Sequence, residues 1–319
     1  MEKGFTMNAI LLAGDRSGSI QVRNDNKAFL ELGGVPLFVH VLRALRQAKR
    51  VGSIVVVGPA ERVAVAMEQH GVKDVRVVPQ RRNMIENFKA GYVASLGLGD
   101  ETEFWDLKGS EYEQVPVLVA PCDIPLLISA EVDEFIVRSN LYEYDYSIGV
   151  TSERVLRYYH PTEGKRGIQM IYFHVREDLL RHNNLHIGKP LAFDHLDYIE
   201  RMYEWRYQTR VANILRMFFS LLFAGGRLMK ALRVFILLQL SLYYDRHGHP
   251  RLSGQIRSLV CFNRLAEGIG NALGARVQVV YTHLGGAALD VDNAEDLSAI
   301  EERYEEWMVY QREQADGGF

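Results

Sequence analysis

Three short, unbroken apolar runs constrain this chain more than anything else in it. They are Ala9-Ile10-Leu11-Leu12-Ala13, Ile54-Val55-Val56-Val57 and Pro116-Val117-Leu118-Val119-Ala120. Each stops at a turn former: Gly14, Gly58-Pro59 and Pro121-Cys122-Asp123. Runs this short suit strands buried on both faces of a parallel sheet. Val75 to Val78, Tyr146 to Val150, Ile168 to Phe173 and Arg276 to Thr282 read as further strands. Helical spacing fills the gaps. Pro36 suits the first turn of a helix to about Ala48; helices follow over Ala60–Gln69, Met84–Leu96 and Ala130–Arg138, the last capped by Ser129. Asp100 to Gln114, with six acids and one Lys, reads as a solvated excursion. A charged helix from Ala294 to about Gln311 closes the pattern. Strands alternating with helices predict a layered α/β sheet with right-handed crossovers, its ligands beyond the carboxyl ends of the strands.

Two loops fall there. A Gly-containing loop after the first strand exposes backbone N–H groups to anionic oxygens, and Lys27 adds a mobile charge for phosphates. The bland alternative is a flexible loop with a surface Lys. The lack of a Gly-Lys-Ser/Thr excludes a P-loop, and the Gly spacing excludes a dinucleotide fingerprint. Asp123, directly after an apolar strand, suits Mg²⁺, which takes one or two carboxylates plus phosphate oxygens; the bland alternative is a cap on the turn before Pro125. In Asp290-Val291-Asp292, strand alternation would point both carboxylates one way. One can hold metal while the other hydrogen-bonds, and Asn293 can cap the last helix, with Glu295 and Asp296 complementing its dipole.

The chain has 37 basic and 40 acidic residues, a net charge of −3. That leaves no global basic field for nucleic acid. Two cysteines, Cys122 and Cys261, exclude a disulfide framework and zinc ribbons. A cytoplasmic setting fits, and Ala9–Ala13 is too short for a signal peptide.

Taken together, these motifs resemble the MobA-like nucleotidyltransferases. Leu12-Ala13-Gly14 … Lys27 … Gly34-Val35-Pro36-Leu37 is similar to that family's LAGG…K…GxPL signature, with Lys27 seven residues before Gly34. Arg82-Asn83-Met84-Ile85-Glu86-Asn87 … Gly91 resembles its segment near base and ribose. Pro121-Cys122-Asp123-Ile124-Pro125-Leu126-Leu127 resembles its metal-binding DxPLL stretch, and Val291-Asp292-Asn293-Ala294-Glu295-Asp296-Leu297 its closing VDTPEDL. The resemblance covers residues 7–150 and 276–300. It implies a Rossmann-like, GT-A-type three-layer α/β sandwich with a mostly parallel sheet and an inserted helical segment. It further implies Mg²⁺-dependent transfer of an NMP from an NTP to a phosphorylated small-molecule acceptor, releasing pyrophosphate. Lys27, Asp123 and Asp292 would be catalytic, the two aspartates holding the metal. Leu12, Ala13, Gly14, Asp15, Arg16, Arg23, Lys27, Asn87 and Asp123 would line the nucleotide. Asp15 stands where the family has a second glycine and Ile20 where it has an Arg, so Arg16 or Arg23 would substitute.

Residues 150–205 are the expected acceptor region. Lys165-Arg166-Gly167 could receive the acceptor phosphate or form an exposed turn; His247-Gly248-His249 reads as a polar loop. Val211 to Tyr244 has no acid but has Arg216, Arg227, Lys230 and Arg233. Its longest uncharged runs are 10 and 11 residues, short of the ~20 needed to span a bilayer. It suits an interfacial helix on anionic lipid or a hairpin packed on the core or in a homodimer, with Gly225-Gly226 as a break. The expected division is a transferase domain over 1–205 and 260–319 and a helical insertion over 206–259. The setting is the cytoplasm, or the periphery of the membrane's inner face. Two other readings stay open: a GT-A glycosyltransferase using a nucleotide sugar, with Asp290-Val291-Asp292 as its DxD, and a non-catalytic nucleotide-binding protein docked to membrane.

Overall fold

The structure, a computed structural model, describes residues 5–14, 22, 25–196 and 226–317. The expected sites Asp15, Arg16 and Arg23, and residues 211–225 of the basic apolar segment, lie outside the described residues. The elements in chain order are β1 (Met7–Leu12), β2 (Glu31–Leu32), β3 (Val35–Pro36), α1 (Leu37–Gln47), β4 (Val51–Gly58), α2 (Ala60–Gln69), β5 (Arg76–Pro79), α3 (Met84–Ser95), β6 (Val117–Pro121), α4 (Ser129–Arg138), β7 (Tyr146–Ser152) and α5 (Glu153–Leu156). They continue with β8 (Phe173–His174), β9 (Leu179–Gly188), α6 (Gly226–Arg246), α7 (Pro250–Arg257), α8 (Phe262–Leu273), β10 (Val277–Thr282) and α9 (Ala294–Asp316).

The central sheet runs β10-β7-β9-β6-β1-β4-β5, with β8 beside β9. β6, β1, β4 and β5 are mutually parallel, as are β10 and β7; β9 lies antiparallel between β7 and β6. The expected mostly parallel sheet with helices on both sides is what forms. Ala9, Leu11, Val56 and Leu118 pack on one face with Phe38 and Leu42 of α1 and Phe135 of α4. Ile10, Val55 and Val57 pack on the other with Tyr92 of α3. Both faces are covered, which is why these strands read as continuous apolar runs.

Gly91 lets α3 approach closely. A Cβ there would lie 2.8 Å from Ile10 Cγ2 and 2.9 Å from Val57 Cγ2. We expect Gly91→Ala to lower stability by about 1–2 kcal/mol, because overpacking at about 1–3 kcal/mol outweighs the up to about 1 kcal/mol that Ala gains over Gly in a helix. A urea melt checks it; a more stable variant would mean that α3 can shift away from the sheet.

Several local expectations change. Ile128 is the cap residue of α4, and Ser129 opens the helix without a capping bond. Pro36 likewise stands just before α1 rather than inside its first turn. The 100–114 excursion is anchored: Phe104 and Leu107 are buried, and Tyr92 donates its hydroxyl to the carbonyls of Tyr112 and Val115, 3.0 Å each. Its acids face outward while its apolar residues hold it down. Ile168 to Tyr172 form no strand; only Phe173 and His174 pair, with Leu180 and Leu179. Ile168 and Met170 pack instead in the cluster around Trp307 of α9, and α9 runs on to Asp316. The unexpected strand is β9, considered below.

Glu131 of α4 is fully buried. It accepts the Ala287 N–H at 2.9 Å and lies 3.3 Å from Thr282 Oγ1. Burial pushes its carboxyl up to about 8. A raised carboxyl pKa means the folded state binds the proton more tightly, so this group's contribution is lost as pH rises from about 4.5 towards 8, at up to about 1.4 kcal/mol per pH unit. Glu131→Gln should therefore gain stability relative to the parent as pH rises through that window. Denaturant melts at pH 5 and pH 8 test this; a difference that does not change with pH would remove the assigned shift.

Candidate active site

β1 and β6 are adjacent parallel strands, so the loops leaving their carboxyl ends meet. The β1 loop carries Lys27 and the β6 loop carries Asp123. Asn26 organises the first loop. Its side chain donates to the Gly14 carbonyl at 3.1 Å and accepts the Ala28 N–H at 2.8 Å, which starts the short 3-10 turn Lys27–Phe29. Sequence reasoning passed over Asn26, although an Asn beside the candidate Lys at the start of a turn was the available signal.

Lys27 Nζ lies 3.2 Å from Asp123 Oδ2 and 2.8 Å from Asp292 Oδ1. Lys27 and Asp123 are largely buried, and Asp292 is exposed. Burial pulls the ammonium's pKa down, but the two carboxylates together hold it above the ordinary lysine value. Burial likewise pushes Asp123 up to about 6, against the opposing pull of Lys27. At Asp292 the bond and charge of Lys27 overcome burial and hold the carboxyl below its usual range.

The closing motif resolves residue by residue. It is not a strand but a loop between a 3-10 turn, Gly286–Ala288, and α9. Val291 is buried, and its N–H donates to the Asp123 carbonyl at 2.9 Å, tying this loop to the end of β6. Asp292 faces Lys27, while Asp296 Oδ2 accepts the Asp292 N–H at 3.1 Å. Asn293 caps α9, as expected, by accepting the N–H groups of Glu295 and Asp296. Asp290 pairs with Arg181 of β9 at 2.7 Å. Arg181 also donates to the Ala288 carbonyl at 2.8 Å, and Asn184 to that of Ala287 at 3.2 Å. Asp290 thus pairs with Arg181 while its carboxylate stays beside that of Asp292 and its charge acts on Asp123. Arg181 and Asn184 are further supports that sequence reasoning missed.

The remaining expected nucleotide residues are placed as follows. The Ala13 N–H is engaged by the Val57 carbonyl at 2.8 Å, so it is a sheet donor rather than a phosphate donor. Gly14 borders Asn87, whose Nδ2 would lie 3.0 Å from a Cβ at that glycine. Asn87 is buried and accepts the Arg81 N–H, so it shapes the 80–87 turn against the β1 loop. Leu12 is half-buried at the end of β1. Lys165 and Arg166 are not beside these groups. They pair with Glu306 at 3.0 Å and Glu302 at 3.6 Å, about 12–18 Å along α9 from its start next to Asp292. Gly167 packs on the backbone of His160 and Pro161. The basic turn is thus an exposed turn docked on α9, its cations matched by acids there. His247 stacks on Tyr243 in a polar turn after α6.

The MobA-like NTP transferase domain model matches residues 9–222. The chain belongs to that family. The match takes in the Lys27 and Asp123 loops of this transferase and ends before Asp292. No curated protein matches the transferase significantly. Among solved structures, a hypothetical transferase from Thermus thermophilus is 20% identical, with a TM-score of 0.61 over 92% of this chain and 100% of that one. A nucleotidyl transferase from Methanothermobacter thermautotrophicus is 15% identical, with a TM-score of 0.45 over 94% of this chain and 98% of that one. A 4-diphosphocytidyl-2C-methyl-D-erythritol synthase from Anaerococcus prevotii is 11% identical, with a TM-score of 0.45 over 95% and 97%. At these identities the first likeness is one of fold.

Proposed function

We propose that this transferase moves a nucleoside monophosphate from an NTP to a phosphorylated small-molecule acceptor and releases pyrophosphate. The observation that carries the reading is Lys27 held between Asp123 and Asp292 at the carboxyl end of adjacent parallel strands. An acceptor phosphate oxygen forms the bond to the α-phosphorus, and the α–β bridging bond breaks, its electron pair leaving on pyrophosphate. Lys27 supplies positive charge to the phosphates. The first loop holds that lysine in place through Asn26. Catalysis here is positioning and electrostatics, with no covalent step on the protein.

The residues present fit Mg²⁺. Two hard oxygen donors converge on one cation, the Lys27 ammonium, which occupies the place between them. Among the described residues no group of three or more His, Cys, Asp and Glu could hold a metal. Mg²⁺ takes one or two protein carboxylates and completes its shell from phosphate and water. Asp123 and Asp292 would hold it, and when bound it supplies charge neutralisation and Lewis acidity to the phosphates.

The transferase domain would span 1–205 and 260–319, with the insertion at 206–259. Among the described residues no helix is long and apolar enough to cross a membrane; a cytoplasmic setting is part of this reading. A thermal-shift screen of the four NTPs with Mg²⁺ tests it, since a ligand at 100 times its Kd adds about 2.7 kcal/mol to the native state. One base should stabilise most, the shift should shrink with EDTA, and pyrophosphate should appear once a phosphorylated acceptor is added. No shift with any NTP would overturn the reading.

A further inference from the structure

α6, α7 and α8 pack on one another and on the β8, β7 and β10 end of the sheet, where Leu238 and Val260 join Val150, Val175 and Leu180 in one buried cluster. Leu238 and Ser241 give the inward face of α6; the Ser241 hydroxyl bonds the buried Ser253 of α7 at 3.1 Å. The outward face is unlike an ordinary solvated one. Arg233, Ile236, Leu240, Tyr243 and His247 are all exposed. At about 100° per residue they fall within about 80° of one helix face. Leu252 of α7 and Leu259 just beyond it add two exposed leucines, 45% and 46% accessible. Exposed apolar side chains gathered in this way mark an interaction surface.

Charge identifies the partner. Residues 226–273, spanning α6 to α8, contain seven Lys and Arg and two acids, Asp245 and Glu267, whereas the rest of the chain has 30 basic and 38 acidic residues. A net charge of +5 thus belongs to the unit that exposes the apolar stripe, in a protein otherwise at −8. A symmetric dimer through this face would set the same cations against themselves, because a two-fold interface brings one patch onto its own copy. Nucleic acid would match the charge but offers nothing to Ile236 and Leu240. An anionic bilayer matches both: headgroups for Arg233, Arg251 and Arg264, and the headgroup–acyl boundary for the aliphatic stripe. We infer that the outer face of α6 and α7 docks this transferase on an anionic lipid surface.

Flotation of the full chain with vesicles tests this. Vesicles of phosphatidylcholine with 30% phosphatidylglycerol (a probe composition, about one anionic lipid in three) should carry the protein, and pure phosphatidylcholine should not. Raising salt to 0.5 M should weaken binding, since exposed charges are then screened. Arg233→Glu with Arg251→Glu should cut binding at least tenfold. Ile236→Asp with Leu240→Asp should abolish it while leaving the melting temperature and the NTP-induced shift unchanged. Equal binding to neutral vesicles, or none to anionic ones, overturns the inference. So does a large fall in melting temperature in the Ile236/Leu240 variant, which would show the stripe covered by the chain itself. A dimer in sedimentation that this variant dissolves would assign the face to a second copy instead.

Discussion

Asp123→Asn is expected to lower pyrophosphate release by about 10²–10³-fold while the protein folds as before. The side chain sits at the end of β6, largely buried, where its charged form is disfavoured by burial and sustained by Lys27. The amide keeps the shape, and the backbone carbonyl that binds the Val291 N–H is untouched. Lys27 retains Asp292 at 2.8 Å. What disappears is the carboxylate charge proposed to hold Mg²⁺ against the phosphates, and loss of one preorganised electrostatic group costs roughly 3–4 kcal/mol of transition-state stabilisation. Steady-state pyrophosphate release beside a thermal melt separates the two effects. Turnover within tenfold of the parent would return Asp123 to a turn-capping role.

Lys27→Met should weaken NTP binding and slow turnover together, by about a hundredfold in kcat/KM, because the ammonium is the one side-chain cation placed against both carboxylates among the described residues. It should also cost stability. Removing Lys27 leaves the buried Asp123 facing Asp292 without a counter-charge, and breaking such a pair is far more costly than replacing it whole. The pair should then recruit a divalent ion more readily, so Mg²⁺ alone should raise the melting temperature of the variant more than that of the parent. Unchanged kinetics would make Lys27 a surface charge; an equal Mg²⁺ response in both proteins would separate the lysine from the metal site.

The apolar runs at 9–13, 54–57 and 116–120 sufficed to place β1, β4 and β6, because a strand covered on both faces needs nothing but apolar residues and a turn to stop it. The same locality made Asn293 legible as a cap and Asp123 legible as a residue at a strand's carboxyl end. β9 was hidden for the opposite reason. It reads Leu179-Leu180-Arg181-His182-Asn183-Asn184-Leu185-His186-Ile187-Gly188, and a bulge with Asn184 at a φ of 60° breaks its period. Asn183 fills the space that a Cβ on Gly149 of β7 would occupy, so its polar run makes sense only beside its neighbours. Lys165-Arg166 reads from sequence either as an anion site or as an exposed turn, and its pairing with Glu302 and Glu306 of α9, far along the chain, is visible only in the fold. The site itself divides in the same way. Sequence singled out Lys27, Asp123 and Asp292, of which only Asp123 lies just past a strand. Only the tertiary structure decided that Lys27 stands between Asp123, 96 residues away, and Asp292, 265 residues away, and that Asp290 beside them pairs with Arg181. Periodicity and turn chemistry act over a few residues, whereas the pairing of charges depends on strand order, which the whole buried sheet fixes at once.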